Sequence, residues 1–504
     1  MGHPHWFGGY VADTLYTAGY HPAQSPTVIG LVCAVCDVAW TPADREALTV
    51  IDLGCGRGLT ACALAAANPG WRVVGVDFHP AHIGDAREFA AEAGIENATF
   101  LELDLAGMDE AAAARLLPQA DVITAHGVWT WVSDAVRAGI LAVLRACLVN
   151  GGAAMISYNA LPGWSQGLAT ARLIRAAAGQ RLGPSDQRAA AGIEALKAFR
   201  LAEAAHLQDN PTAERLVTGG IGNSTAYVAH EYLPQHWRPA WAADVHRDLA
   251  EARLDFVGSC AIEENFPALL LTEKQREAVA LIQGPERETA IDLCIRRPFR
   301  QDVFVRGRRR AFGVPRLHEL RLALAVARDK IKPMVRTHVG EAALPPHVAG
   351  PVLDALAERP RPLGELLTLP GVEKATAGEI VAVLVGGGWA MPLWRDVPAF
   401  DSPLAARARR FNRAALNRYG MDAMNGGGRL GLVAPAAGCA YSCPADELAA
   451  AVMLQSAAEA GESPLEVETV VDRLMRADAT EEARAAFRER LTARLPGWRA
   501  LGVI

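Results

Sequence analysis

VIDLGCGRGLT, Val50 to Thr60, is a short apolar strand that runs straight into glycines at three alternate positions, Gly54, Gly56 and Gly58. A turn this tight between a buried strand and a helix needs residues without a Cβ, both to reach positive φ and to let backbone N–H groups approach a ligand. The helix after it is predicted to run to about Ala67. Alone, the loop is either a plain turn or a cradle for a nucleoside-containing cofactor, and the neighbouring elements separate these readings.

WRVVGVDF (Trp71 to Phe78) is a second buried strand ending on an acidic residue, Asp77, nineteen positions beyond Gly58. A carboxylate there can accept from both ribose hydroxyls of an adenosine held over the glycine loop; the alternative is a cap for the helix after Pro80. A third strand, ATFLELDL (Ala98 to Leu105), carries Asp104 at its end, placed to accept from an adenine amino group. Asp121 opens a fourth strand, GGAAMISYN forms a fifth ending at Tyr158 and Asn159, and two more are expected near Leu254 to Ile262 and Asp302 to Arg306. Helical patterns fill the gaps, so the prediction is a parallel, doubly wound α/β sheet with ligands beyond the carboxyl ends of its strands. Gly54, Asp77, Asp104, His126 and Tyr158 all fall at such ends. Dinucleotide folds use GxGxxG to admit a pyrophosphate at a helix N-terminus. Here the spacing is GxGxG, preceded by Asp52 and Leu53, which suits a loop following the methionine part of a cofactor without a diphosphate.

VIDLGCGRG resembles the first motif of class I S-adenosylmethionine-dependent methyltransferases, and Asp77 and Asp104 match that family's ribose and adenine positions. AHGVWTWV (Ala125 to Val132), SYNALPGW (Ser157 to Trp164), YVAHEYL (Tyr227 to Leu233), RRPFRQDVFV (Arg296 to Val305) and the N-terminal YTAGYHPAQSP (Tyr16 to Pro26) are similar to signature segments of bacterial methyltransferases that carry a methyltransferase regulatory domain. That group includes rickettsial lysine methyltransferases that modify outer-membrane proteins. The resemblance covers roughly residues 10 to 310. It implies a Rossmann-like seven-stranded methyltransferase sheet, S-adenosyl-L-methionine as cofactor and a protein lysine as acceptor. The alternatives are a small metabolite or natural product as acceptor, or a non-catalytic module that binds the cofactor and a partner. The cofactor set is then Asp52, Gly54, Cys55, Gly56, Gly58, Asp77, Phe78, Asp104, Leu105 and His126, with Tyr16 and Tyr20 folding over from the N-terminal segment.

Methyl transfer from a sulfonium is an in-line displacement, so the enzyme mainly positions an uncharged nucleophile. His126, Tyr158 and Asn159 lie at strand ends as candidates to orient it, His126 also as proton acceptor. Trp129, Trp131 and Trp164 are expected to wall a lysine channel or to pack as core. Tyr227, His230 and Glu231 approach the acceptor if YVAHEYL is a lid, or pack on a cap if it is not. Cys55 is small enough to pack in the loop without a redox role.

The chain has 504 residues, 51% of them apolar, and a net charge of −6, which gives no global pull toward nucleic acid or anionic membrane. No apolar run reaches about 18 residues and the N-terminus lacks a signal-peptide pattern, so a soluble, cytoplasmic protein is expected. Nine scattered cysteines fit reduced thiols, and no metal site is expected from Cys33 and Cys36 or from Cys439 and Cys443, the latter pair flanking a presumed short turn. Expected units are a cofactor domain at 1–310 with a helical cap at about 165–250, a winged-helix-like unit at 311–400, and a mainly helical unit at 401–504. In the middle unit three short helices precede VLVGGGWAMPLW, read as a hairpin with glycines at its tip. This half is read as a surface for protein contact or dimerisation. The seven arginines from Arg296 to Arg310 are read as a solvated strand edge and domain junction, or as a site for acidic peptide or phosphate.

Overall fold

The computed structural model describes residues 8–13, 18–40, 42, 44–218, 225–311, 316–426, 428–476 and 478–504. Its centre is a twisted sheet. Strand β1 (Thr49–Leu53) pairs in parallel with β2 (Arg72–Asp77) and β4 (Ala120–Ala125), while β3 (Ala98–Glu102) and β5 (Leu148–Leu161) add outside them. A two-residue strand, β6 (Ala240–Trp241), extends the end of β5. Strand β7 (Leu254–Ser259) lies at the far edge, and β8 (Phe299–Arg306) inserts antiparallel between β5 and β7, giving the order β3-β2-β1-β4-β5-β8-β7. The seven expected main strands are present.

Helices α1 (Pro26–Val35), α2 (Leu59–Ala67), α3 (Pro80–Glu92), α4 (Glu110–Leu116) and α5 (Asp134–Cys147) cover the sheet. Every residue of α2 is buried, because the sheet lies on one side and the C-terminal unit on the other. Its composition, LTACALAAA, explains how: small side chains let both neighbours approach closely. After β5 the chain builds a cap from α6 (Gly167–Ala178), α7 (Ser185–Leu201), α8 (Pro211–Thr218) and α9 (Thr225–Tyr232), with its own core around Ile174, Leu196, Tyr232 and Trp237. It then returns to the sheet through α10 (Ala242–Ala250).

The arginine-rich strand is not an edge. β8 is interior, and the Arg300 guanidinium, fully buried, donates to Asp302 Oδ2 at 2.8 Å, to both Asp292 oxygens at 2.9 Å and to Glu288 at 2.9 Å. The Tyr158 hydroxyl also donates to Asp302, at 2.7 Å, and His246 Nε2 lies 3.1 Å away. Arg297, also buried, sits 3.2 Å from Asp292 and 3.3 Å from Glu264. Arg297 and Arg300 are neutralised internally and are not offered to an anionic partner, whereas Arg296, Arg308, Arg309 and Arg310 are exposed. Arg300→Met is expected to destabilise the fold by about 3–5 kcal/mol, the cost of leaving buried carboxylates unpaired. Denaturant unfolding would show it, and an unchanged midpoint would refute a stabilising role for this cluster.

In the middle unit three helices occur as expected, Pro346–Glu358, Leu363–Leu366 and Ala377–Leu384. The expected hairpin does not. The capping box of Thr376 and Glu379 starts a helix that takes in VAVL, and the glycines turn it into strand Ala390–Leu393. That strand pairs with Arg321–Leu324, which precedes the helices and also pairs with Arg361–Pro362. A continuous apolar run does not distinguish helix from strand, and here the cap decides. The last unit holds helix Pro403–Gly426, a hairpin of Leu430–Ala434 with Cys439–Cys443, and helices Ala445–Glu459, Val467–Leu474 and Glu481–Ala500. Cys439 and Cys443 therefore bound a strand rather than flank a turn. One hydrophobic core runs through all three units, including Leu64, Phe89, Leu384, Phe411, Tyr419 and Leu432.

Among the described residues no helix is long and apolar enough to cross a membrane, and no three His, Cys, Asp or Glu side chains gather as metal ligands.

Candidate active site

A cavity of about 770 Å³ opens at the carboxyl ends of β1, β2, β4 and β5, under the cap and the N-terminal segment. Its floor is the glycine loop. Gly54 and Cys55 donate to the Val76 carbonyl at 2.7 and 3.0 Å, which ties the turn to β2. Gly54 has φ +77°, and a Cβ there would meet Val128 Cγ2 at 2.4 Å. Gly56 has φ +51° with nothing within 4 Å of a Cβ position, so bare backbone faces the cavity. Gly58 plays another part and does not line it: a Cβ would stand 2.7 Å from Ala86 and 2.8 Å from Phe100, so this glycine permits helix packing.

Asp77 lines the cavity, and its carboxylate accepts from Gly56 N–H and from His79 N–H, both at 2.9 Å. The N-cap of α3 is His79, whose Nδ1 accepts from Ala81, so Asp77 organises the loop instead of capping that helix. Phe78, Leu105, Cys55 and Asp104 also line the space, Asp104 two residues beyond β3 at the exposed rim. Asp52 lies deeper, accepting from Gln24 Nε2 at 2.5 Å and Thr124 Oγ1 at 3.2 Å. Burial raises its carboxyl to about 7 despite these donors.

The N-terminal segment contributes differently from expectation. Tyr20 turns away from the cavity: its ring packs on Gly431 and its hydroxyl accepts from Ala440 N–H at 3.0 Å, pinning the segment to the C-terminal hairpin. Tyr16 lies outside the described residues. Tyr10, His21 and Gln24 line the cavity in their place. The His21 ring stacks on His126 with centroids 4.0 Å apart, and burial lowers His21 to about 4. Burial and the neighbouring His21 also push His126 well below its ordinary value, leaving a neutral ring that is a poor proton acceptor.

At the opposite end, Asn159 reaches the cavity but Tyr158 does not, because successive side chains of β5 point to opposite faces. The Tyr158 hydroxyl is committed to Asp302, so its expected place at the acceptor mouth is corrected. Trp129 is likewise buried in the core beneath the sheet, whereas Trp131 and Trp164 line the cavity. From α9, Tyr227, His230, Glu231 and Tyr232 face inward, joined by Arg215 and Phe299. Asn159 Nδ2 donates to Glu231 Oε1 at 3.2 Å, and burial raises the Glu231 carboxyl to about 7. Helix α9 is thus part of the cap and a wall of the cavity together.

The loop residue Arg57, absent from the expected set, connects the cavity to the C-terminal unit. Its Nε donates to Asp85 at 2.6 Å, and its guanidinium lies 4.7 Å from the centre of the Tyr419 ring. The Tyr419 hydroxyl donates to Asp85 at 3.1 Å, and Arg418 binds Asp85, Glu88 and Glu92. Asp85→Ala is expected to weaken cofactor binding about tenfold, the loss of a charge-assisted hydrogen bond of roughly 1.5 kcal/mol that fixes the loop. Titration calorimetry giving wild-type affinity would show that Arg57 needs no such anchor.

The bare backbone at Gly56, the acidic strand end and the cavity size fit an adenosine-bearing cofactor. The family described as methyltransferase domain matches residues 51–154, and that described as predicted methyltransferase regulatory domain matches residues 224–306. An uncharacterized protein of Synechocystis is 28% identical over 394 residues, 77% of each chain. An uncharacterized protein of Rickettsia prowazekii is 35% identical over 124 residues, 25% of this chain and 48% of that one. The structure of PKMT2 from Rickettsia typhi superposes with a TM-score of 0.65 at 17% identity, covering 96% of this chain and 99% of that one. Its complex with AdoHcy gives a TM-score of 0.67 at 16% identity, covering 97% and 99%. The chain is a class I S-adenosylmethionine-dependent methyltransferase that carries a methyltransferase regulatory domain.

Proposed function

We propose that the acceptor is a protein lysine side chain. One observation carries this reading: Glu231, a half-buried carboxylate whose pKa desolvation raises to about 7 against the pull of Arg215, lines the cavity with Tyr227, Tyr232 and Trp164. An aromatic channel ending on a carboxylate attracts an ammonium on approach. Desolvation lowers the pKa of the entering amine while it raises that of Glu231, which brings the two closer and favours proton transfer to Glu231 Oε. Asn159 orients that carboxylate.

In this reading Asp77 accepts from the ribose hydroxyls, Asp104 and Leu105 flank the adenine, and the Gly54–Gly56 backbone and Asp52 face the methionine part. S-adenosylmethionine, when bound, supplies the activated methyl group. The chain's own work is to align the amine, exclude water beneath the cap and remove one proton. The resemblance to rickettsial lysine methyltransferases points the same way.

The test is incubation of the full chain with radiolabelled cofactor and a lysate of the source organism. Label is expected in acid-stable protein and, after hydrolysis, in methyl-lysine. Label in extractable small molecules would overturn the protein acceptor, and no transfer at all would favour a binding module.

A further inference from the structure

Next to the cavity, a second and more open cleft is lined by Arg137, Arg172, Arg175 and Arg238, with Trp237 and Asp134. The arginines come from three elements: the first turn of α5, the middle and last turn of α6, and the loop after α9. Asp134 is the one carboxylate among the lining residues, and it pairs with both Arg137 and Arg238. Arg137 is fixed further by donating to the carbonyls of Trp129 and Val132, and Asp248 on α10 is within its electrostatic reach. Arg172 and Arg175, one helical turn apart, have no carboxylate within 4 Å among the described residues.

Arg175 is the most telling of the four. Its guanidinium lies 5.5 Å from the centre of the Trp237 ring, its Nη1 makes a long 3.5 Å bond to the Pro234 carbonyl, and its Nε is buried without an acceptor. Burial and the repulsion of Arg172 lower its pKa. A guanidinium fork held on an aromatic platform, with donors still open, suits a carboxylate.

The cleft also adjoins the acceptor end of the cavity. Trp237 packs edge-on against Trp164 with centroids 5.2 Å apart, and Trp164 lines the cavity. Ser133, which precedes Asp134, lines it too.

We propose that this cleft docks an acidic segment of the methyl acceptor, whose Asp or Glu side chains lie a few residues from the methylated one. The proposal rests on the reading of the acceptor as a protein. An open cleft that adjoins the cavity across Trp237 and Trp164 suits a chain crossing both, whereas a free anion would be held better in a closed cradle.

The test is fluorescence anisotropy of the full chain with a labelled decapeptide of alternating Glu and Gly. Binding is expected, weakening as salt rises. The double variant Arg172→Glu, Arg238→Glu is expected to lose about tenfold or more in affinity. Both side chains are exposed, Arg238 to 68%, so the fold should tolerate the change. Arg336→Glu, at a 91% exposed arginine on the hairpin of the middle unit, is expected to change nothing. Equal affinities in all three proteins, no binding by the wild type, or displacement by inorganic phosphate as effective as by unlabelled peptide would overturn the proposal. Radiolabel transfer to lysate protein separates the two readings. Labelled protein without peptide binding removes the docking cleft and keeps the protein acceptor; peptide binding without labelled protein keeps an acidic-peptide site and removes the acceptor.

Discussion

Asp77→Ala is expected to weaken S-adenosylmethionine binding about a hundredfold. In the proposed pose two ribose hydroxyls donate to this carboxylate, and each hydrogen bond to a charged group contributes about 1.5 kcal/mol, so about 3 kcal/mol is lost. The variant also frees the N–H groups of Gly56 and His79 that the carboxylate now holds, which loosens the loop itself. Asp77→Asn separates these effects, since an amide keeps an acceptor for the loop but offers a donor to one ribose hydroxyl. Its affinity should fall between those of Asp77→Ala and the wild type. Calorimetric affinities equal to wild type in both variants would sink the ribose assignment.

Glu231→Gln is expected to lower kcat by about a hundredfold or more, in the range by which a positioned base accelerates proton transfer. Cofactor affinity should stay within a factor of about two, since Glu231 stands at the other end of the cavity. The pH profile is the sharper measurement. The carboxyl titrates at about 7, so the wild-type rate should rise with pH through that value as Glu231 ionises, and the variant should lack this limb. Asp52 is also raised to about 7, so Asp52→Asn is the control: the limb should survive in it. Loss of the limb in Asp52→Asn and its survival in Glu231→Gln would assign the proton acceptor to the wrong carboxylate. Linkage gives a companion result. Because folding raises the Glu231 pKa above its ordinary 4.5, protonation favours the fold, an advantage present below pH 4.5 and lost as pH rises through about 7. Glu231→Gln should therefore be at least as stable as the wild type at pH 8, which separates a catalytic loss from unfolding.

Local chemistry was legible in the sequence where it depended on consecutive residues. The glycine loop needs only a strand, a tight turn and a helix in succession, read directly from VIDLGCGRGLT, and the strand ending on Asp77 is read from the apolar run WRVVGVDF. Orientation was less legible. Tyr158 and Asn159 are neighbours, yet one faces the cavity and the other Asp302, and only the pairing of β5 with β8 decides which. Tyr20 and Trp129 were misplaced for the same reason: an aromatic residue near a binding loop is equally suited to packing. Of the seven arginines read as solvated, Arg296, Arg308, Arg309 and Arg310 are exposed; Arg297 and Arg300 are not, because two acids that neutralise them, Glu288 and Asp292, lie on the preceding helix and carry no signal of contact. Arg57 was missed because the C-terminal residue it meets, Tyr419, is 362 residues away.

The hairpin near the end of the chain carries a last consequence. It holds Tyr20 through Ala440, accepts from Thr27 through Ala437 at 2.7 Å, and receives Asn68 at Gly438 at 2.8 Å. A ribosome makes the cofactor loop early, but the surface that covers α2 and locks the entering segment, built by helix Pro403–Gly426 and the hairpin after it, emerges only in the last fifth of the chain. Until then α2, every residue of which is buried in the finished fold, has an uncovered apolar side. The nascent protein must therefore wait, half-built and prone to association, through most of its own synthesis. A chain halted before this hairpin should accumulate on chaperones instead of yielding a smaller working enzyme.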